Sequence, residues 1–148
     1  MKLRINKDVL LENLNYVGRA LSNRNIIPII NGILFELTGE GLSLTATDNE
    51  ITIKAFIDKS KIKDIKEEGN LVIYGRFILD IIRKLPAEDI DIEEIDGGKA
   101  IISTPTSKYN LNCFDYREFP NTNIEIGNDP IKLTAGNFKD IVNQTVFA

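Results

Sequence analysis

Residues 71–86 read Leu71-Val72-Ile73-Tyr74-Gly75-Arg76-Phe77-Ile78-Leu79-Asp80-Ile81-Ile82-Arg83-Lys84-Leu85-Pro86. The first four form a short apolar run bounded by glycine, the pattern of a buried strand. Past Gly75 the period changes. Phe77, Ile78, Ile81, Ile82 and Leu85 recur at helical spacing and make one wide apolar stripe. Arg76, Asp80, Arg83 and Lys84 fall on the opposite face, and Pro86 stops the helix because its ring cannot continue one. A strand thus runs directly into an amphipathic helix. The chain opens the same way. Lys2-Leu3-Arg4-Ile5 alternates like a strand, and Leu10, Leu14, Val17 and Leu21 then predict a helix over 7–21. Asn6 is placed to cap it, since its side chain can accept from the free amides of the first turn.

Each helix is followed by three strand-like segments. The first set is 32–37, 42–47 and 51–57, joined by Thr38-Gly39-Glu40-Gly41 and Asp48-Asn49. The second set is 90–95, 99–104 and 108–114, joined by Asp96-Gly97-Gly98 and Pro105-Thr106-Ser107. Connections this short make antiparallel hairpins. The charged stretch 58–69 reads as a separator between two halves. The order strand, helix, three strands, twice over, predicts an α+β fold with two antiparallel sheets and two helices packed side by side against them. After a linker over 120–130 the pattern starts again. Ile131-Lys132-Leu133-Thr134 resembles the opening strand, and Phe138, Val142 and Thr145 repeat the spacing of Leu10, Leu14 and Val17. Residues 1–128 are therefore expected to be one domain, and 129–148 the truncated start, a strand and a helix, of a second.

Composition narrows the chemistry. The 148 residues include no histidine, which removes the Ser-His-Asp triad, the Cys-His dyad and the usual zinc sites. The single cysteine, Cys113, excludes an internal disulfide and reads as a small core residue in an apolar strand. No apolar run approaches the roughly 20 residues of a membrane span, and the N-terminus lacks the apolar core of a signal peptide. A soluble, cytoplasmic protein is expected. There are 18 basic and 22 acidic residues, a net charge of −4, which argues against binding nucleic acid through bulk positive charge. The charge is uneven, however. Residues 1–86 hold 13 basic and 11 acidic side chains, and 87–148 hold 5 and 11. One basic working face on an acidic body, or two ordinary solvated surfaces, both fit that distribution.

The candidate constellations are few. The Arg76, Arg83 and Lys84 stripe suits sequence-independent contact with phosphates. Taken alone it is better explained by solvation. Arg83 and Lys84 complement the helix dipole, and Asp80 can pair with Arg76 or Lys84 at four-residue spacing. The first helix carries Asp8, Glu12, Asn15 and Arg19, mixed in sign, and Arg24 lies in the loop after it. Asp48 and Glu50 sit at a hairpin turn, and Asp89, Asp91 and Glu93 alternate on the solvent face of one strand. Paired carboxylates can hold a metal for nuclease chemistry, but a solvated edge is the simpler account. Glycines occur at turns with no phosphate-loop spacing. No catalytic set, metal site or cofactor site emerges.

Four stretches, in order, resemble the bacterial DNA polymerase III beta-subunit family, the sliding clamps. They are Arg24-Asn25-Ile26-Ile27-Pro28-Ile29-Ile30-Asn31-Gly32-Ile33-Leu34, Leu42-Ser43-Leu44-Thr45-Ala46-Thr47-Asp48-Asn49-Glu50, Gly75-Arg76-Phe77 through Leu85-Pro86, and Glu118-Phe119-Pro120-Asn121. The resemblance covers the N-terminal domain, 1–128, and the first strand and helix of the second. It implies a ring of two three-domain subunits joined head to tail, with helices lining a hole for duplex DNA and sheets outside. It implies a non-catalytic processivity factor that needs no cofactor and tethers a DNA polymerase. It further implies DNA contact at Arg24 and Arg76, with Arg83 and Lys84 on the same face, and a subunit interface made by Tyr109 and Leu111 on the edge strand 108–111 together with the helix face around Phe77. The sites for polymerase and clamp loader are implied to lie in later domains. The mixed-charge first helix departs from the more basic lumen that the resemblance suggests. Two other readings remain open on the residues: a small autonomous α+β protein-interaction domain without a DNA role, and a metal-dependent nuclease using Asp48 and its neighbours.

Overall fold

The structure is a computed structural model that describes residues 1–22, 27–86, 88–95, 98–122 and 131–146. The first half runs β1 (Lys2–Asn6), α1 (Lys7–Val17), β2 (Gly32–Thr38), β3 (Gly41–Thr47), β4 (Thr52–Asp58) and β5 (Ile62–Glu67). The second runs β6 (Gly69–Tyr74), α2 (Gly75–Lys84), β7 (Asp89–Ile95), β8 (Lys99–Ser103) and β9 (Lys108–Phe114), and α3 (Ala135–Thr145) follows later. The strand–helix starts are as the periodicity predicts. Asn6 caps α1, its Oδ1 accepting from Asp8 N at 2.9 Å and Val9 N at 3.3 Å. α1 stops at Val17 rather than Leu21, and residues Gly18–Ala20 tighten into a 3-10 turn.

The described strands form one antiparallel sheet of nine, in the order β4-β3-β2-β6-β9-β8-β7-β1-β5. The expected pair of sheets is thus merged edge to edge. The seam is narrow: β6 and β9 align only at Val72 with Phe114 and Ile73 with Cys113. The halves also exchange their first strands. β1 pairs with β7 of the second half, and β6 pairs with β2 of the first. Neither group of three strands is completed by its own half.

The stretch 58–69 is not a separator. It contains β5, which pairs with β1 through Leu3 with Ile65, Arg4 with Asp64 and Ile5 with Ile62. Lys63 is skipped in that register, a bulge that lets Ile62 and Ile65 both turn toward the core despite odd spacing. Alternation was the signal sought in the sequence, and the bulge erases it. The lysines of this edge strand, Lys63 and Lys66, are exposed, which discourages pairing with another chain.

The main core lies between one face of the sheet and the two helices. Leu10, Leu14 and Val17 of α1 and Ile78 and Ile82 of α2 are wholly buried against Phe35, Leu44, Ile73 and Ile92. Each such side chain contributes about 1.5–3 kcal/mol through burial. A smaller cluster on the other face, Ile29, Ile30, Val72 and Phe119 with Leu34 and Phe114, covers the seam. Outside the core, the alternating acids of β7 meet cations from neighbouring strands. Arg4 is bidentate to Asp91 at 2.9 and 2.8 Å, Lys2 reaches Glu93 at 2.7 Å and Lys63 reaches Asp89 at 2.7 Å.

Residues 131–134 join no ladder, so the strand expected there is not formed; Thr134 instead caps α3 by accepting from Asn137 N. A strand needs a partner edge, whereas a helix satisfies its own backbone. α3 leaves Phe138, Ile141, Val142 and Val146 exposed. The expected linker falls largely at 123–130, outside the described residues. No helix of the described residues is long and apolar enough to cross a membrane.

Two glycines are required by the packing. Gly75, at the start of α2, has no room for a Cβ, which would lie 2.4 Å from Leu21 Cδ1. Gly41 has φ +151°, and a Cβ there would lie 2.2 Å from the Ile57 carbonyl oxygen. Gly41→Ala combines backbone strain with a clash against backbone, and is expected to lower stability by about 2 kcal/mol or more. Urea unfolding should show an earlier midpoint with an unchanged slope.

Candidate nucleic-acid interface

α1 and α2 lie side by side on the same face of the sheet and run in opposite directions. Lys7 Nζ at the start of α1 donates to the Leu85 carbonyl at the end of α2, 2.6 Å away, while Gly18 at the far end of α1 sits against Leu79. With both apolar stripes, Phe77 apart, committed to the core, the remaining faces of the two helices form a common surface pointing away from the sheet.

On that surface α2 presents three cations, Arg76, Arg83 and Lys84, against one carboxylate, Asp80, and all four side chains are exposed. Asp80 pairs with Arg83 at 3.5 Å, three residues on, rather than with Arg76 or Lys84. Arg83 also crosses to α1, its Nη2 donating to Asn15 Oδ1 at 3.4 Å. Arg76 and Lys84 make no ion pair among the described residues. α1 contributes a self-satisfied group: Tyr16 donates to Glu12 Oε1 at 3.1 Å, and the Arg19 guanidinium stands 5.9 Å over the Tyr16 ring. The sequence-predicted cations of α2 are therefore brought together, with Arg83 held in place. Arg24 lies outside the described residues. Tyr16 and the Asn15 bridge were not foreseen. The i,i+3 spacing of Asp80 and Arg83 was a usable signal for their pairing; nothing local announces a contact between residues 15 and 83.

The second candidate surface is at β9. β9 pairs with β8 over 108–112 and with β6 only at Cys113 and Phe114, so 108–112 has one open backbone edge among the described residues. Beside it runs a groove of about 330 Å³ lined by Ile73, Tyr74, Phe77, Leu111, Cys113 and Phe114, among others. Phe77 does not join the core with the rest of its stripe. It is 60% exposed and leans on the Tyr74 ring, centroids 4.6 Å apart. Tyr109 is exposed on the same strand, and Leu111 is half-buried. Phe77 and Leu111 thus share a groove, with Tyr109 two residues further along the open edge.

The acidic candidates are occupied by the fold. Asp48 accepts from the amides of Glu50 at 3.0 Å and Ile51 at 2.8 Å, and these hydrogen bonds, chiefly that from Ile51, hold its carboxyl below the usual range. It shapes the β3–β4 turn. Among the described residues no three acidic, histidine or cysteine side chains group in a way that could hold a metal ion. Cys113 is half-buried at the margin of the core, and burial, with Glu94 adding to it, pushes its thiol up to about 11.

Residues 1–123 match the family described as the DNA polymerase III beta subunit, N-terminal domain. Over its whole length the chain is 34% identical to the beta sliding clamps of Halalkalibacterium halodurans and of Bacillus subtilis, spanning 40% of each. Its fold matches the crystal structure of the Bacillus subtilis sliding clamp with a TM-score of 0.93, over 100% of this chain and 40% of that one. The beta chain from Streptococcus pneumoniae gives the same TM-score at 27% identity, over 99% of this chain and 40% of that one. The chain therefore spans less than half the length of the relatives it matches.

A thiol raised this far carries very little thiolate at ordinary pH. Cys113 in the folded chain should react with iodoacetamide at pH 8 about a hundredfold more slowly than in the urea-unfolded chain. Mass spectrometry of timed samples gives the two rates, and equal rates would refute the assigned environment.

Proposed function

The chain belongs to the DNA polymerase III beta-subunit family, and from that premise we propose that it is the N-terminal domain of a sliding clamp. The complete protein is a non-catalytic cytoplasmic processivity factor that closes around duplex DNA and tethers the replicative polymerase. The observation that carries this reading is the pair of antiparallel helices laid on one face of the sheet, with the free cations of α2 turned away from it. Such a surface meets phosphates at any sequence, because it offers charge without side chains set to read base edges. A closed ring is retained by topology, so its phosphate contacts are weak and exchangeable, which permits sliding. Tethering raises the effective concentration of polymerase at the primer end.

Arg24, Arg76, Arg83 and Lys84 are the proposed DNA contacts, with Arg76 and Lys84 the readiest because no carboxylate among the described residues pairs with them. The acidic total is compatible with this, since charge on the sheet side is already paired strand to strand. The open edge of β9, with Phe77, Leu111 and Tyr109, is the proposed contact with a second subunit: an unpaired strand edge beside an apolar groove suits addition of another strand. Residues 129–148 are proposed to begin the second domain, whose body would cover the apolar side chains of α3. Polymerase and clamp loader would engage later domains.

In the complete protein, Arg24→Ala with Arg76→Ala should weaken association with duplex DNA, and the log–log dependence of affinity on salt should flatten by about 1.8, or 0.9 per lost phosphate contact. Identical slopes for variant and wild type would sink the assignment. Leu111→Asp should separately shift the complete protein from dimer to monomer in analytical ultracentrifugation. An undiminished dimer would remove β9 from the interface.

A further inference from the structure

Asp80 is the one carboxylate of α2, and it stands among three cations on the face proposed to meet DNA. Its Oδ1 lies 3.5 Å from Arg83 Nη1, while Arg83 Nη2 donates to Asn15 Oδ1 at 3.4 Å. Arg83 is therefore engaged on two sides by groups of its own chain, whereas Arg76 and Lys84 make no ion pair among the described residues. We propose that Asp80 is a resident competitor for phosphate, a positioning residue that keeps Arg83 from binding DNA tightly. This rests on the reading of the helix face as the DNA surface.

The physical case is one of matched strengths. Arg83 and Asp80 are more than half exposed, at 57% and 60%, so water screens their attraction and the pair is weak. A duplex phosphate presents the guanidinium with the same chemistry, an anionic oxygen acceptor, in a similarly wet setting. Arg83 can then exchange one acceptor for the other as the backbone passes, its own charge matched at either end of the exchange, while the released Asp80 carboxylate returns to water. Without Asp80, the guanidinium has no anionic alternative, so each contact it makes with DNA is held more strongly. The contact with Asn15 is to a neutral amide and offers less competition, but it keeps the guanidinium extended across α1 instead of free in solvent. A surface built only for affinity gains nothing from an acid at this position. One built for movement gains a lower barrier between successive phosphates.

The test uses the complete protein and a labelled duplex oligonucleotide, with affinity measured by anisotropy across salt concentrations. Asp80→Asn removes the charge while keeping shape, on an exposed site that does not threaten the fold. It should bind more tightly, and the log–log salt slope should steepen by about 0.9, the equivalent of one further released counterion. That gain should vanish when Arg83→Ala is added, and Asp80→Glu should restore wild-type behaviour. A merely structural role for Asp80 would alter thermal stability without steepening the slope. If Asp80→Asn leaves the slope unchanged while Arg76→Ala lowers it, the competitor role is wrong and the DNA face stands. If neither substitution alters the slope, or if no duplex binding occurs, both fall together.

Discussion

β1 hydrogen-bonds to β7 and β6 to β2, so each group of three strands is completed by the first strand of the other half. This exchange constrains everything else. Each exchanged strand runs straight into its helix, at Asn6 into α1 and at Tyr74 into α2. Fixing the strands therefore fixes where both helices start, and fixes them on the same side of the sheet. Their apolar stripes then have one place to go. The antiparallel packing of α1 on α2, the Lys7 contact with the Leu85 carbonyl, and the outward cations all follow from that arrangement. The sheet is a scaffold whose product is a pair of helices with a defined outer face.

That outer face is less charged in effect than in composition. Tyr16, Glu12 and Arg19 satisfy one another on α1, and Arg83 is held on α2. The charge left unmatched among the described residues of this face is concentrated at Arg76 and Lys84, at opposite ends of α2. Across the sheet, Arg4 with Asp91 and Lys2 with Glu93 are directly opposed in register, which neutralises the acids of β7 where they stand. A net charge of −4 thus coexists with a face offering free cations.

Much of the fold was legible because strand and helix announce themselves through different periods. Residues 71–85 switch from one to the other within a single glycine, and Asn6 marks the same junction in the first half. What failed did so for definite reasons. β5 was hidden by the bulge at Lys63, since period-two alternation is the only local sign of a half-buried strand. Phe77 satisfied the helical stripe, but its position in the first turn of α2 carries it past the edge of the core, onto Tyr74. The resemblance, rather than periodicity, had set it apart. Among the charged residues, Asp80 and Arg83 were readable as neighbours on one helix, while the bridge from Arg83 to Asn15 joins residues 68 apart in the chain and depends on how two helices meet.

The strand exchange also orders events during synthesis. Of these strands β1 is made before the others, and it cannot complete its place in the sheet until β7 has followed. β5 appears earlier, and its ladder with β1 is the first lasting partner the opening strand can find. The 21 residues between β5 and β7 take about 1–4 s to translate, long compared with the microseconds of hairpin formation. Over that interval β5 can hold one edge of β1, while the edge that β7 will take stays open. A segment that reads as filler in the sequence is thus, of the described strands, the one that can pair with β1 before the second half of the sheet exists.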